Sequence, residues 1–335
     1  MLALTREVRF ALEAVRQAAL LVAQIEKELV STTLTKEDRS PVTVADYASQ
    51  AVITAALQRT LPEERLVAEE ESGLLRAPQS RELLQLATQY VCRIEPDADE
   101  NSLCRWIERG NAAAEGRFWT LDPLDGTKGF LRGDQYAVAL ALVEDGVVQL
   151  GVLGCPKLTP GAQPDAKEQG ALFVARRGHG AWVTSLERPE LFRRLRVSQQ
   201  TDLRQARLLR SFESEHTDVE RIEAFVVSLG IEVPPQRMDS QAKYALLADG
   251  QGEFLLRLRS PSQPHYCEKI WDQAAGSLLV EEAGGKVTDL HGKELDFSQG
   301  RTLSRNYGVL ASNGILHAQA LAALKAIGAI PENEA

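Results

Sequence analysis

A stiff acidic segment, Asp-Pro-Leu-Asp-Gly-Thr at positions 122–127, constrains this chain more than any other feature. Asp122 and Asp125 are three residues apart, and Pro123 between them has a fixed φ and no N–H. Gly126 lets the backbone come close to a ligand. Carboxylates crowded on a rigid turn suit Mg²⁺, whose coordination is completed by water and substrate phosphate. The segment therefore predicts metal-assisted hydrolysis of a phosphate ester, although its residue types also favour an ordinary turn.

Acidic residues in three other stretches have contexts that match a shared site. Residues 66–68 form an apolar run that ends in the glutamates 69–71, as if a buried strand delivered carboxylates at its end. Asp46 stands at the start of an Ala-rich helical run, and Asp272 at the start of one that ends in Gly-Gly at 284–285. Taken singly, each has an ordinary explanation: a solvated acidic loop, an acid in the first turn of a helix, and a helix cap. Together they favour one common site.

In order and spacing, these motifs resemble the lithium-sensitive, Mg²⁺-dependent phosphatase family that includes inositol monophosphatase, fructose-1,6-bisphosphatase and 3'(2'),5'-bisphosphate nucleotidase. Residues 122–127 match the family's Asp-Pro-x-Asp-Gly-Thr, Glu69-Glu70 its upstream Glu-Glu, and Trp271-Asp272 its downstream Trp-Asp. The resemblance extends from about Ala11 to Gly314, which is nearly the whole chain.

Within that family, the strongest resemblance is to the bisphosphate nucleotidases of the yeast and plant type. It rests on the stretches 127–133, 153–156, 239–244 and 268–272. Lys128-Gly129, directly after the acidic turn, counts against the inositol monophosphatase branch. The resemblance implies a phosphatase that converts 3'-phosphoadenosine 5'-phosphate to AMP and phosphate, with the sulfated nucleotide as a further candidate substrate.

Two alternatives to this function remain open. An inositol polyphosphate 1-phosphatase or inositol monophosphatase would use the same metal ligands and differ only in the distal pocket. A sensor that binds a phosphonucleotide without turnover belongs to another class of protein. The complete set of acids, together with Thr127, argues against the sensor, since a catalytically dead relative need not keep them.

The resemblance implies specific metal ligands and a catalytic pair. The metal ligands are Glu69, Glu70, Asp122, Leu124 through its carbonyl, Asp125 and Asp272. They imply two Mg²⁺ ions bridged by Asp122, with a weaker third ion near the two glutamates. Asp46 and Thr127 are the implied catalytic pair, which orients a water and takes its proton.

The same resemblance implies which residues bind the substrate. These are Gly126, Thr127, His216, Ser240, Lys243 and Arg257. Ser240 and Lys243 are three residues apart, which predicts that both lie on one face of a helical turn. Taken singly, Lys243 and His216 are also typical of solvated helix residues, and Arg257 of a surface ion pair.

Composition and charge restrict the classes of partner. With 335 residues, 44% of them hydrophobic and 25% charged, the chain is typical of a globular enzyme with two domains. A net charge of −9 argues against binding to nucleic acid or to an anionic membrane, so we expect a small-molecule substrate; protein partners are unknown. The four cysteines form no Cys-x-x-Cys pair, which favours reduced thiols. We expect a cytoplasmic protein, since an organelle would require a transit peptide before Met1.

Hydrophobic periodicity predicts the elements and the fold class. Helices are expected near 3–29, 44–60, 80–91, 216–229, 241–249, 272–284 and 313–327. Hairpins are expected at 136–153, with an Asp-Gly turn, and at 171–184; strands are expected at 254–258 and 308–311. This order predicts an α+β domain at 1–196 that carries most metal ligands and an α/β domain at 197–335 that carries the distal pocket and Asp272. The resemblance implies a layered α-β-α-β-α sandwich of the inositol monophosphatase-like (sugar phosphatase) type, with the active site between the domains.

Overall fold

The computed structural model describes residues 4–30, 41–73, 75–159, 161, 170–212 and 218–330. Its helices are α1 (Arg6–Ile25), which continues into a π-helical turn (Glu26–Val30), α2 (Pro41–Thr60), α3 (Arg81–Val91), α4 (Glu100–Glu108), α5 (Thr127–Arg132), α6 (Val219–Ser228), α7 (Ala242–Ala248), α8 (Ala274–Glu282) and α9 (His317–Ala326). Its strands are β1 (Leu66–Ala68), β2 (Arg117–Asp125), β3 (Ala137–Glu144), β4 (Val147–Cys155), β5 (Ala171–Arg176), β6 (Gly180–Ser185), β7 (Arg193–Arg194), β8 (Leu208–Arg210), β9 (Gln236–Arg237), β10 (Phe254–Arg257), β11 (Lys286–Thr288) and β12 (Val309–Ser312).

The strands form two sheets. In the first sheet, seven strands follow one another in chain order, β1 to β7, and are antiparallel except for the parallel pair β1 and β2. The second sheet has the order β11-β12-β10-β8-β9, in which β10, β8 and β9 are parallel. Strands β3 and β5 are buried on both faces, since helices cover the first sheet on either side.

Helices and sheets alternate in five layers. α1 and α2 pack on the outer face of the first sheet, α7 and α8 lie between the two sheets, and α9 packs on β12 beside α6. The middle helical layer packs closely against the first sheet. A Cβ on Gly151 of β4 would lie 2.8 Å from the carbonyl oxygen of Ala275 on α8. The layered α-β-α-β-α prediction is therefore confirmed. Within the described residues, no helix combines the length and apolar character needed to cross a membrane.

Most predicted elements are confirmed, with small shifts at their ends. The first hairpin turns at Asp145 and Gly146, whose φ angles of 49° and 79° fit the predicted Asp-Gly turn. α8 stops before Gly284, whose φ is 96°. The predicted boundary at 196/197 falls between the last strand of the first sheet and the first strand of the second. As a division into domains it stays a prediction.

Several features differ from the prediction. α4 and α5 were not predicted, and the acidic segment is the end of a long strand, β2, because Phe118 to Leu121 continue it into the core. α2 begins at Pro41, so Asp46 lies in its second turn and is not an acid of its first turn. Asp272 does not cap α8, because Gln273 occupies that position and forms no side-chain cap bond there.

A buried histidine ties α9 to the second sheet. The side chain of His317 is 2% exposed, and its Nε2 and Nδ1 lie 2.9 Å from Thr288 Oγ1 and 2.8 Å from Ser312 Oγ. Because the Thr288 hydroxyl donates to the carbonyl of Asp289, it accepts from Nε2–H, and Nδ1 then accepts from Ser312. Burial, reinforced by Lys286, lowers the pKa of His317 to about 4.

We therefore expect the free energy of unfolding to fall as the pH drops from about 6.5 towards about 4. In that window the unfolded chain takes up a proton that native His317 does not, at a cost on the order of 2 kcal/mol. Urea unfolding across the window measures this, comparing the wild type with His317→Gln and with His179→Gln, which changes an exposed histidine. An unaltered pH slope in His317→Gln would contradict the assignment.

Candidate active site

One cavity of about 290 Å³ collects most of the predicted site residues. Its lining includes Glu69, Asp122, Leu124, Asp125, Gly126, Thr127, Ser240, Lys243, Arg257 and Asp272. The first six belong to the first sheet and the segments that follow its strands, and the other four to the second half of the chain. The site is therefore built from both halves, between the layers.

The two aspartates of the acidic segment occupy the end of β2. The pairing of β2 with β3 is regular up to Asp122 and shifts before Asp125, where Pro123 has no N–H for the ladder. Asp122 Oδ1 accepts a hydrogen bond of 3.1 Å from the amide of Leu124. The bulge thus aims both carboxylates out of the strand and into the cavity.

Gly126 joins β2 to α5 at a point where the two halves of the chain touch. Its φ is 91°, and a Cβ there would lie 2.8 Å from the Cβ of Ser240. Ser240 itself has a φ of 64°, a strained value for a residue with a side chain. Thr127 is the first residue of α5, so the backbone N–H groups of Gly126 and Thr127 stand at the opening of that helix.

The carboxylates of the cavity repel one another strongly. Burial raises the pKa of Asp122 well above its ordinary value, and Glu69, Asp125 and Asp272 raise it further. Asp272 shows the same direction, from burial and from Asp125. The pKa of Asp125 is raised by burial, which Lys243 partly offsets. Such a concentration of buried acids calls for positive charge within reach.

Glu69 reaches the same cavity from the end of β1. Its amide donates to the carbonyl of Leu121 over 3.2 Å, which holds it beside the neighbouring strand β2. Burial in the pocket, followed by repulsion from Glu70 and Asp125, raises the pKa of Glu69 to about 7. The side chain of Glu69 as a whole remains exposed to solvent.

Glu70 and Asp46 lie near this cavity without lining it. Gln50 of α2 fixes the backbone of Glu70 through two hydrogen bonds of 3.1 and 2.8 Å. Asp46 is 5% exposed, and its pKa is raised well above the ordinary value by burial, Glu70 and Glu69. No hydrogen bond joins Asp46 to Thr127, both of which lie in the described part of the chain. Their pairing stays a prediction.

A basic region occupies another side of the cavity. Lys243 is buried, donates to Ser211 Oγ over 2.9 Å, and has its pKa lowered to about 8 by burial and by Arg257. Arg257 Nη2 lies 3.2 Å from Oε2 of Glu268, which is itself buried. Neither cation is thus a solvated surface residue.

Two predictions about the basic side concern the helical spacing of Ser240 and Lys243 and the role of His216. The prediction that Ser240 and Lys243 share a helical face is wrong, because α7 begins only at Ala242 and Ser240 precedes it in the left-handed region. Both nevertheless line the cavity, since the turn before α7 is oriented towards it. His216 lies outside the described residues.

Several residues that hold this site were not singled out from the sequence. The Gln241 amide donates to Asp125 Oδ2 over 2.5 Å, and its side chain donates to the carbonyl of Trp271 over 2.9 Å. Glu268 Oε2 accepts from both Arg257 and Gln273. Gln241 and Glu268 fall inside the stretches 239–244 and 268–272, but no spacing rule indicates what their side chains contact.

The donors in the cavity are compatible with Mg²⁺. Glu69, Asp122, Asp125 and Asp272 line it together with the carbonyl-bearing Leu124, and all offer hard oxygen ligands. Among the residues that the structure describes, no three acidic, His or Cys side chains form a ready-made metal cluster. Mg²⁺ commonly binds through carboxylates and substrate phosphates and keeps several of its waters.

Comparison with known proteins gives concordant results. The model of the inositol monophosphatase family matches residues 4–329. The chain is 39% identical to a 3'(2'),5'-bisphosphate nucleotidase of Emericella nidulans, covering 94% of this chain and 96% of the relative. It is 39% identical to the nucleotidase of Schizosaccharomyces pombe (91% of each chain) and 40% identical to that of Oryza sativa (92% and 90%).

Solved structures agree on the fold. The IMPase of Thermotoga maritima superposes with a TM-score of 0.62 at 21% identity, covering 97% of this chain and 98% of that one. The inositol monophosphatase of Anabaena (Nostoc) sp. PCC 7120 gives a TM-score of 0.60 at 23% identity, covering 96% and 97%. At these identities the likeness concerns the fold alone.

We expect Gly126→Ala to destabilise the protein more than Gly178→Ala. Both glycines have positive φ, 91° and 76°, so alanine costs about 1–2 kcal/mol of backbone strain at either position. Only at position 126 does the new Cβ meet another atom, Ser240 Cβ, which adds about 1–3 kcal/mol of overpacking; nothing lies within 4 Å at 178. Urea unfolding of both variants measures the difference, and equal losses would contradict the close contact.

Proposed function

The chain belongs to the inositol monophosphatase family, among relatives that are 3'(2'),5'-bisphosphate nucleotidases, and we propose that it removes the 3'-phosphate of 3'-phosphoadenosine 5'-phosphate. Water supplies the new oxygen on phosphorus, the bond to the ribose 3'-oxygen breaks, and that oxygen takes up a proton. The products are AMP and phosphate. One observation carries the proposal: a single cavity holds a group of carboxylates and, beside it, two cations, the buried Lys243 and the half-buried Arg257.

The carboxylate side of the cavity is the proposed Mg²⁺ site. Glu69, Asp122 and the carbonyl of Leu124 would hold one ion, and Asp122, Asp125 and Asp272 a second. The repulsion that raises the pKa of Asp122 and Asp272 supports a requirement for cations there. When bound, Mg²⁺ neutralises charge on the phosphoryl oxygens and lowers the pKa of a coordinated water. The number of ions, and a weaker one near Glu70, belong to the proposal.

We assign to Thr127 and Asp46 the role of removing the proton from the attacking water. Thr127 begins α5 at the cavity wall and would orient the water through its hydroxyl. Asp46, buried on α2, would be the final acceptor in a relay through Thr127. Gly126, which lacks a side chain, leaves the backbone at this point open to a phosphoryl oxygen.

We assign binding of the substrate's 5'-phosphate to the basic side of the cavity. Buried Lys243 contacts Ser211, half-buried Arg257 contacts Glu268, and both cations face the same space as Ser240. A phosphate accepted there would gain charge-assisted hydrogen bonds in a place with little water. Inositol monophosphates have no second phosphate for these cations. The sulfated nucleotide and inositol bisphosphates are the closest competing substrates.

The experiment that tests this function is phosphate release with Mg²⁺ from a panel of substrates. The panel is 3'-phosphoadenosine 5'-phosphate, 3'-AMP, inositol 1,4-bisphosphate and inositol 1-phosphate. We expect the adenosine bisphosphate to have the highest kcat/KM, because it alone combines the nucleoside with both phosphates. A preference for the inositol substrates would overturn the nucleotidase assignment and keep the phosphatase.

In the same assay, Asp125→Asn is expected to reduce turnover to background, since a proposed metal ligand loses its charge. Asp97→Asn removes a charge from an exposed aspartate and should leave turnover unchanged. Near-normal turnover in Asp125→Asn would contradict the metal assignment.

Lys243→Met is expected to raise KM for the adenosine bisphosphate on the order of 10- to 100-fold, because a hydrogen bond to a charged group contributes about 1.5–3 kcal/mol. Methionine keeps most of the apolar stem and so limits the loss of packing. Hydrolysis of 3'-AMP, which lacks the 5'-phosphate, should change little. Equal losses on both substrates would remove Lys243 from the 5'-phosphate site.

A further inference from the structure

Arg301 lies in the connection between β11 and β12 and contacts both halves of the active site. Its Nη2 donates to the carbonyl of Ala68, the last residue of β1, over 2.5 Å. Its guanidinium carbon lies 4.8 Å from the centre of the Trp271 ring. The residues that follow these two partners are Glu69 and Asp272, which face the cavity from opposite halves of the chain.

The backbone around Arg301 is held beside the segment that leads to Trp271. The amide of Ile270 donates to the Arg301 carbonyl over 3.2 Å, and the amide of Leu303 donates to the carbonyl of Glu268 over 2.9 Å. An isolated bridge pairs Lys269 with Thr302. The segment therefore runs antiparallel to the approach to Trp271, and its arginine reaches from there across to β1.

The charge of Arg301 is directed at the acids of the first half. Within the described residues, Arg301 has no carboxylate at ion-pair distance, yet Glu71 and Glu69 are close enough to oppose the burial that lowers its pKa. A guanidinium over an indole ring uses its flat face for a cation–π contact, while its N–H groups remain available to donate to a carbonyl. A lysine at this position would supply only a point charge.

Trp271 is held from its other side as well. The side chain of Gln241 donates to the Trp271 carbonyl over 2.9 Å, while its amide donates to Asp125. Trp271 is 5% exposed, so its ring has little room to move. The corner before α8 is thus fixed by Gln241 at the carbonyl and by Arg301 at the ring, and Asp272 follows directly.

We propose that Arg301 is a positioning residue that holds the β1 end bearing Glu69 against the Trp271 corner bearing Asp272, and so sets the spacing of the acids for Mg²⁺. This inference rests on the proposed metal-dependent function. It gives Arg301 no contact with substrate: the residue acts through Ala68 and Trp271. Changes to residues that orient metal ligands reduce metal affinity by about 10–100-fold.

The test is Mg²⁺ titration calorimetry of the substrate-free protein, together with the Mg²⁺ dependence of turnover. Arg301→Met keeps the stem and removes the fork. Arg259→Met is the matched control, because Arg259 also stacks on a ring, that of Tyr307 at 4.2 Å, and donates to a carbonyl, that of Asn306 at 3.2 Å, away from the cavity. Urea unfolding of both variants separates loss of stability from loss of affinity.

We expect Arg301→Met to weaken Mg²⁺ binding at least about tenfold, with kcat at saturating Mg²⁺ within a few-fold of the wild type. Arg259→Met should lose similar stability and keep its Mg²⁺ affinity. Should Arg301→Met fail to fold, Arg301→Lys serves instead, and its affinity should lie between wild type and a full loss.

Two results would overturn the inference. Wild-type Mg²⁺ affinity in a folded Arg301 variant would make Arg301 a purely structural contact and leave the proposed function intact. A wild-type protein that binds no Mg²⁺ and releases no phosphate from the substrate panel would overturn the function and this inference together.

Discussion

The arrangement of this site depends on how the repulsion among its carboxylates is compensated. Burial raises the pKa of Asp122, Asp125 and Asp272, and neighbouring acids raise those of Asp122 and Asp272 further, so the ionised forms destabilise the native state unless positive charge is supplied. Lys243 supplies part of it. The amide of Gln241 adds a hydrogen bond to Asp125. The same arrangement of acids therefore favours binding of a divalent cation and, without positive charge, lowers the stability of the fold around it.

The middle helical layer brings those acids together. α8 approaches β4 so closely at Gly151 and Ala275 that a side chain on the strand would meet backbone. Tyr244 of α7 likewise fills the space beside Gly276, and no Cβ fits there. These contacts set the distance between the end of β2 and the corner that precedes α8. Small residues that do not themselves line the cavity therefore help to set its width.

The sequence predicted the parts of this site that depend on local patterns. The acidic Asp-Pro-x-Asp-Gly-Thr segment and the apolar run ending in glutamates indicate, without any three-dimensional information, acids that the structure brings to one cavity. It did not predict the turn at Ser240, where tertiary contact with Gly126 overrides helical spacing. Nor could it identify Arg301, whose partner Ala68 is 233 residues away and contributes only a carbonyl, which every residue carries.

The division of the ligands between two sheets has a consequence for how the chain matures. Glu69 follows β1, and Asp122 and Asp125 lie at the end of β2, while Asp272 and the cations Lys243 and Arg257 come from the second half. A nascent or partly unfolded chain that has formed one sheet offers only a fragment of the cavity. Any ligand that binds the complete cavity and not its fragments would favour completion of folding by mass action. Ligand binding at the complete cavity therefore depends on both sheets having formed.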